Sequence, residues 1–175
     1  MPLWYFAEGL SHPSHELYRS VLLLRDPRDC LVSHYYSVRD SHTLNNRGNL
    51  EARREALRTD IDQWVLGKAS EYAQDFEQFH ARLVGKPGVL FLRYEEMVTA
   101  FPEFLRKVVA HTGLDQDQEA VARILEEADF EVSEENLLAH KRSVKPGNHM
   151  KKLKPETVAL LNEALAEVLE LFDYR

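Results

Sequence analysis

The stretch VLLLRDPRDCLVSHYY, residues 21–36, decides the fold class. Residues 21–24 are apolar with no polar alternation, which predicts a strand buried on both faces, as in a parallel sheet. Asp26 and Pro27 follow at once. An aspartate cap before a proline in the first turn predicts that a helix begins here and runs to about residue 38. A buried strand that leads directly into a helix is typical of an α/β fold.

The remainder of the chain repeats this alternation. Residues 89–93 form a second β-rich run, and residues 3–7 could form another strand. Strands that alternate with long helices indicate an α/β fold with a parallel sheet. In one helical segment, apolar residues recur every three or four positions, which predicts a face packed in the core: Tyr72, Phe76, Phe79 and Leu83. Helices are predicted at residues 50–58, 60–66, 70–84, 102–111, 117–127 and 157–172.

Length, charge and cysteine content narrow the class of protein. The chain has 175 residues and a mass of 20.3 kDa, which fits one domain. Its formal net charge of −7 argues against a nucleic-acid partner. Cys30 is the only cysteine and the histidines lack metal-ligand spacing, so neither a disulfide framework nor a metal site is expected. Because no apolar run is long enough to span a membrane and no secretory signal is recognisable, we expect a cytoplasmic protein without a membrane partner.

Arg25 and Ser33 are candidates for an anion site. Arg25 ends the first strand, and Ser33 lies eight residues further on, in the next helix. Ligands of open α/β sheets bind at the carboxyl ends of strands, and a guanidinium with a nearby hydroxyl suits phosphate oxygens. The alternative is that Arg25 pairs with Asp26 or Asp29 and that Ser33 only fills a helix interior.

Two further segments allow a functional and a structural interpretation. Residues 140–154 hold six lysines and arginines and no acid, whereas residues 115–135 hold nine acids. The basic run could clamp a polyanion, or it could be a solvated loop that balances the acidic helix. Tyr94, directly after the second strand, could stack on a base or be a half-buried core residue.

The segment RDPRDCLVSHYY, residues 25–36, resembles a motif of the cytosolic-type sulfotransferases, which use 3′-phosphoadenosine 5′-phosphosulfate (PAPS). In that family a strand is followed by roughly Arg-(Asn/Asp)-Pro-(Lys/Arg)-Asp-x-x-Val-Ser-x-Tyr-Tyr. The resemblance implies that Arg25 and Ser33 bind the 3′-phosphate of PAPS. It also implies a three-layer α/β fold of P-loop type, with a parallel sheet flanked by helices.

Two other segments resemble the same family. Residues 89–97 are similar to a strand that leads into a Tyr-Glu-Asp segment, which puts Tyr94 near the adenine. Residues 142–156 keep the spacing of Arg-Lys-Gly-x-x-Gly-Asp-Trp-Lys-Asn-x-Leu-Thr-Pro-Glu, although Ser143 and Val144 replace Lys-Gly and His149 replaces Trp. The resemblance thus assigns further residues to PAPS: Phe130 against the adenine, and Lys141, Arg142 and Gly147 in the loop that closes over the 3′-phosphate.

The family's opening strand and phosphate-binding loop, of the type Pro-Lys-Ser-Gly-Thr-Thr-Trp, have no recognisable counterpart in this sequence. We therefore expect a single sulfotransferase-like domain, residues 1–175, that is truncated at its N-terminus relative to the family. A parallel sheet that lacks a central strand exposes unpaired backbone groups, which predicts a poorly soluble chain or one that pairs this edge in a homodimer.

The resemblance implies an activity: transfer of a sulfuryl group from PAPS to a hydroxyl or amine of a small-molecule or glycan acceptor, without a metal. The family's catalytic base is a histidine, or in some branches a glutamate, upstream of the motif. His12 is the first choice here and Glu8 the alternative. The competing hypothesis is a non-catalytic remnant that binds a nucleotide or another protein and has kept the 3′-phosphate half of the site.

Overall fold

The computed structural model describes residues 18–41, 47–114, 117–128 and 145–174. The chain divides into two compact units. Unit 1 comprises Met1–Arg25 and Asp75–Phe130, and unit 2 comprises Asp26–Gln74 and Glu131–Arg175. Outside the described ranges lie the strand predicted at residues 3–7 and these candidate site residues: Glu8, His12, Phe130, Lys141 and Arg142.

The described residues form a mostly helical α/β fold with a small parallel sheet. The strands are β1 (Ser20–Leu24) and β2 (Val89–Arg93). The helices are α1 (Pro27–Tyr36), α2 (Arg47–Arg58), α3 (Ile61–Leu83), α4 (Tyr94–Thr99), α5 (Phe101–Thr112), α6 (Gln118–Glu127), α7 (Asn148–Lys152), α8 (Pro155–Ala164) and α9 (Ala166–Leu171). A π-helical turn, Ser37–Ser41, follows α1. No helix within the described ranges is both long and apolar enough to span a bilayer.

The strands β1 and β2 of unit 1 confirm the predicted parallel pairing. They run in register, with Ser20 opposite Val89 and Leu24 opposite Arg93. Parallel strands need a crossover connection of a dozen or more residues, and here the chain between them includes the helix α3. The register matters for function because it also fixes which residues lie next to each other where the two strands end.

The prediction that β1 is buried on both faces is wrong. Val21 is 38 % exposed and Leu23 is 40 % exposed, whereas Leu24 is buried. Successive side chains of a strand point to opposite faces, so the exposed residues share one face. An unbroken apolar run is typical of a parallel strand covered by helices on both sides. In the described part of the chain, β1 pairs with β2 alone, and this face of β1 is only partly covered.

Helix α1 begins where the sequence predicts. The carboxylate of Asp26 accepts a hydrogen bond of 2.9 Å from the backbone N–H of Arg28, and Pro27 occupies the first turn. An aspartate at this position satisfies one of the backbone N–H groups that a helix leaves without an internal partner. The regular helix ends at Tyr36, and a π-helical turn replaces the last residues of the predicted helix.

The two helices predicted at residues 60–66 and 70–84 are a single helix, α3. The prediction separated them around Gly67, but a glycine in a helix interior costs only about 1 kcal/mol relative to alanine. Buried residues continue across this glycine, from Trp64 and Val65 to Ala69 and Tyr72, so packing outweighs that cost. The predicted core face is confirmed, because these side chains are at most 8 % exposed: Tyr72, Phe76, Phe79 and Leu83.

In the C-terminal segment, by contrast, one predicted helix is two helices in the structure. One helix is predicted at residues 157–172, but the chain breaks at Leu165 into α8 and α9. The predicted apolar face is still largely buried, since these side chains are at most 4 % exposed: Leu161, Leu165, Val168, Leu169 and Phe172. The break interrupts the regular helix at Leu165 while the same side chains remain in the core.

Candidate functional site

Arg25 and Tyr94 lie side by side at the carboxyl ends of β1 and β2. Because Leu24 is opposite Arg93, the next residue on each strand is Arg25 and Tyr94 respectively. The guanidinium carbon of Arg25 lies 4.8 Å from the centre of the Tyr94 ring, within the range of a cation–π contact. Both residues are half-buried. Unit 1 therefore brings together two of the residues that the sequence assigns to one ligand.

Ser33 of unit 2 lies within α1, and its side chain is exposed. Its neighbours on that helix that point inward are buried, with Leu31 at 0 % and Val32 at 2 % exposure. A hydroxyl on the solvent side of a helix is accessible to a ligand, as the phosphate hypothesis requires. The position of Ser33 is thus compatible with its predicted role.

Asp26 and Asp29, the alternative partners considered for Arg25, have strong partners within unit 2. The carboxylate of Asp26 accepts 2.9 Å and 2.6 Å hydrogen bonds from the guanidinium of Arg28. Asp29 accepts hydrogen bonds from the segment around Gly147 and His149. Within unit 2, Asp26 thus pairs with Arg28, and Asp29 binds the segment around Gly147 and His149.

Asp29 is a residue whose importance the sequence analysis missed. It is fully buried, at 0 % exposure, and its oxygens accept from the Gly147 N–H at 2.8 Å and the His149 N–H at 2.9 Å. The Nδ1 atom of His149 lies 2.7 Å from the same carboxylate. A signal existed in the sequence, since Asp29 lies three residues before Val32 and shares its apolar helix face. An acid on such a face predicts a buried polar contact.

The basic run at residues 140–154 is described from Lys145 onward, and part of it packs against the rest of unit 2. The ammonium of Lys152 lies 5.7 Å from the centre of the Tyr36 ring. The backbone N–H of Lys154 donates a 2.9 Å hydrogen bond to Asp62, and its ammonium lies 3.6 Å from the other carboxylate oxygen. Lys145 is exposed.

Asp62 is held in its charged form by these contacts. Burial by itself would raise the pKa of its carboxyl group. The hydrogen bonds from the Lys154 backbone and the Thr157 side chain outweigh that effect and lower the pKa below its ordinary value of 3.8. Asp62 thereby attaches the segment between α7 and α8 to α3. Lys152 and Lys154 thus contact other groups of the protein. The basic run therefore offers fewer positive charges to a ligand than its sequence suggests.

Glu96 lies on α4, the short helix that begins with Tyr94. Its contact with Lys107 predicts how the free energy of unfolding changes with pH. The Lys107 ammonium donates a 2.6 Å hydrogen bond to Glu96 and lowers the pKa of that carboxyl below its ordinary value of 4.5. A lowered pKa in the folded state adds stability above the unfolded-state pKa, and this is lost as the pH falls through the folded-state value. We expect Glu96→Gln to lower the free energy of unfolding by about 0.5–1 kcal/mol at neutral pH.

Urea unfolding of both proteins at neutral pH and at several values below 4.5 checks this expectation. The difference between the wild-type chain and Glu96→Gln should shrink as the pH falls, because protonated Glu96 resembles glutamine. A difference that stays constant into acid would show that the Lys107 contact is not the cause. Comparing the two proteins at each pH cancels the titration of all other carboxylates.

Within the described ranges, no group of three or more His, Cys, Asp and Glu side chains is arranged to hold a metal ion. The described candidate residues instead fall into two sets. Arg25 and Tyr94 lie together in unit 1, and Gly147 is hydrogen-bonded to the helix that carries Ser33 in unit 2. The set in unit 1 comprises a guanidinium and an aromatic ring, and such groups can bind phosphate oxygens and a purine ring.

The chain is similar to two curated relatives. One is the human (Homo sapiens) protein named Sulfotransferase 1C2, with 28 % identity over 121 residues. The other is the rat (Rattus norvegicus) Sulfotransferase 1C2, with 28 % identity over 120 residues. In both cases the alignment covers 69 % of this chain and 38 % of the relative, so the chain matches less than half of the relatives' length. No solved structure gives a significant match.

The family model described as the sulfotransferase domain matches residues 11–157. The matched range includes β1 and α1 with the quoted motif, β2 with Tyr94, and the segment around Gly147. It extends over most of the 175 residues. The chain therefore belongs to the sulfotransferase domain family.

Proposed function

We propose that this protein transfers a sulfuryl group from PAPS to a hydroxyl or amine of a small-molecule or glycan acceptor. Family membership supports sulfuryl transfer in general. The observation that carries the choice of PAPS is the pair formed by Arg25 and Tyr94, with the guanidinium 4.8 Å from the ring centre. A guanidinium binds phosphate oxygens in a fixed geometry, and a tyrosine ring offers a face to a purine. A nucleotide with a phosphate close to its adenosine fits both groups.

We assign the other binding roles by the family resemblance. Arg25 and Ser33 bind the 3′-phosphate, with Lys141, Arg142 and Gly147 in the loop that closes over it. Tyr94 and Phe130 contact the adenine. A charge-assisted hydrogen bond is roughly twice as strong as a neutral one, so Arg25 should contribute most to affinity among the described residues. The exposed hydroxyl of Ser33 supports its part in this assignment.

The reaction we propose is an in-line displacement at sulfur. The acceptor oxygen or nitrogen forms a bond to sulfur while the bond from sulfur to the bridging phosphate oxygen breaks. A base takes the acceptor's proton, and cationic side chains stabilise the negative charge on the departing phosphate. His12 is the proposed base and Glu8 the alternative. No metal is required when lysine and arginine side chains stabilise that charge.

The remaining features of the proposal concern the protein as a whole. We propose that the parallel pair β1–β2 is part of a three-layer fold of P-loop type and that residues 1–175 act as one domain. The exposed apolar residues Val21 and Leu23 support a partner that covers this face of the sheet, and we propose a second copy in a homodimer. We place the activity in the cytoplasm, where a lone cysteine remains reduced.

Titration calorimetry with 3′-phosphoadenosine 5′-phosphate tests the proposal. Since one charge-assisted hydrogen bond contributes about 1.5–3 kcal/mol, Arg25→Ala should weaken binding by roughly tenfold to a hundredfold. The matched control is Arg106→Ala, because Arg106 is an exposed arginine of unit 1 that pairs with Glu103. The control should bind as the wild-type chain does.

The outcomes separate a chain that binds the nucleotide, whether catalytic or not, from a remnant that binds only another protein. Binding that Arg25→Ala weakens about tenfold or more and Arg106→Ala preserves supports the 3′-phosphate site. A folded wild-type chain that does not bind this nucleotide would contradict the proposal and would favour a protein-interaction remnant. Equal weakening by both substitutions would indicate a general charge effect, which would count against a site at Arg25.

A further inference from the structure

We propose that Asp29 is a positioning residue that fixes the turn at Gly147 against the helix carrying Ser33. The inference rests on the proposed function, because it concerns the binding of the 3′-phosphate by that helix and that turn. Asp29 does not itself contact the nucleotide in this proposal. It acts through the backbone of Gly147 and through His149, which it holds in a single arrangement.

The contacts at Asp29 join two segments that are far apart in the sequence. Asp29 lies in the first turn of α1, and Gly147 directly precedes α7. One carboxylate oxygen accepts the Gly147 N–H at 2.8 Å, and the other accepts the His149 N–H at 2.9 Å. Two backbone amides of the same turn therefore converge on one side chain. This arrangement determines both the place and the orientation of the turn.

His149 completes the coordination of the buried carboxylate. Its Nδ1 atom lies 2.7 Å from Asp29, and its side chain is 5 % exposed. A carboxylate is only an acceptor, so His149 must carry a proton on Nδ1 to make this hydrogen bond. A buried charge is costly unless it is paired and hydrogen-bonded, and here three donors surround it. The histidine that departs from the family pattern thus has a structural partner in this chain.

Gly147 itself has the backbone geometry of a turn. Its φ is +79°, in the left-handed region that residues with a Cβ atom rarely adopt. Because its N–H is donated to Asp29, that N–H is not the group that would bind a phosphate. Gly147 contributes the shape of the turn, and Asp29 keeps the turn in place. This modifies the role that the sequence assigns to Gly147.

A second contact supports the attachment of α7 to α1. The Lys152 ammonium lies 5.7 Å from the Tyr36 ring, at the opposite end of both helices from Asp29 and His149. Ser33 lies between Asp29 and Tyr36 on α1. The helix that carries the exposed hydroxyl is therefore held by α7 on both sides of that hydroxyl. Weakening the contacts of Asp29 should therefore let the turn at Gly147 move relative to Ser33.

The substitution that tests this is Asp29→Asn, which keeps the shape of the side chain but replaces one acceptor oxygen with an N–H₂ donor. We expect affinity for 3′-phosphoadenosine 5′-phosphate to fall about tenfold or more. Affinity for adenosine 5′-monophosphate, which lacks the 3′-phosphate, should stay within about twofold. A purely structural role would lower both affinities together, so the ratio of the two is the decisive readout.

His149→Gln provides a second variant, since it removes the imidazole and leaves the two backbone hydrogen bonds. We expect a smaller fall in the same ratio. If Asp29→Asn does not fold, this variant decides the question by itself. A ratio unchanged from that of the wild-type chain in every folded variant would overturn the proposal.

Hydrogen exchange of the nucleotide-free chain separates this inference from the proposed function. At least one of the Gly147 and His149 amides should exchange about tenfold faster or more in Asp29→Asn, because these amides donate to different carboxylate oxygens and only one of those oxygens remains. Exchange that is not accelerated would refute the positioning role even if the nucleotide binds. Accelerated exchange in a chain that does not bind the nucleotide would keep the positioning role and reject the proposed function.

Discussion

Arg28→Ala is expected to lower the free energy of unfolding by about 3–5 kcal/mol, because it leaves a buried carboxylate without its charged partner. The guanidinium of Arg28 donates to both oxygens of Asp26, to the side-chain oxygen of Asn162 at 2.6 Å and to the backbone carbonyl of Tyr174 at 2.8 Å. The side chains of Arg28 and Asp26 are only 12 % and 11 % exposed. The same arginine therefore joins the start of α1 to α8 and to the C-terminal segment.

Urea unfolding followed by circular dichroism measures this loss, and two controls make it interpretable. Arg28→Lys keeps the charge but cannot donate in the planar fork, so it should lose part of the same free energy. Arg106→Ala removes an exposed arginine and should change stability by less than about 0.5 kcal/mol. An Arg28→Ala protein as stable as the Arg106→Ala control would show that the network around Asp26 contributes nothing measurable.

The two arginines of the motif, Arg25 and Arg28, have different contacts in the structure. Arg25 lies at the end of β1 against the ring of Tyr94, whereas Arg28 is held by four protein acceptors. The sequence motif contains both arginines three residues apart. The hydrogen bonds of the folded chain identify Arg28 as a structural residue, which the motif by itself does not. A loss of binding in Arg28→Ala would therefore reflect unfolding and not a missing ligand.

Much of the local structure follows from the sequence alone. The two strands and the aspartate cap of α1 agree with the predicted pattern. These features depend on residues close together in the chain, which is why propensity and spacing are sufficient to predict them. The contact between Arg25 and Tyr94 depends on the pairing of the two strands as well. Because the strands are parallel and Leu24 lies opposite Arg93, the residues that follow them lie side by side.

The errors arise where distant parts of the chain decide the outcome. Whether a face of β1 is covered depends on what packs against the sheet, and an apolar run has the same appearance in either case. Whether Gly67 interrupts a helix depends on the buried residues at either side of it. The partners of Asp29 lie 118 and 120 residues further along the chain, and no local pattern predicts that distance. The departure at His149 was visible in the sequence, but its partner was not.

Phe76→Ala is expected to lower the free energy of unfolding by about 3–5 kcal/mol, the usual cost of removing a large aromatic side chain from a core. Phe76 is 0 % exposed, and its ring lies 6.4 Å from that of Phe79 in an edge-to-face arrangement. The control is Gln78→Ala on the exposed side of the same helix, which should change stability by less than about 0.5 kcal/mol.

The same pair of variants checks in solution that the aromatic face of α3 belongs to the core. If Tyr72, Phe76 and Phe79 are core residues, Phe76→Ala reduces stability and changes nucleotide affinity only as far as the folded fraction falls. If they instead line a ligand pocket, the substitution reduces affinity while the unfolding midpoint in urea stays close to that of Gln78→Ala. The exposures of 8 %, 0 % and 4 % favour the core, since a pocket for a nucleotide would leave part of these rings accessible. Nucleotide affinity measured without urea and the urea midpoint measured on the same preparation separate the two interpretations, because loss of packing and loss of a contact surface act on different equilibria.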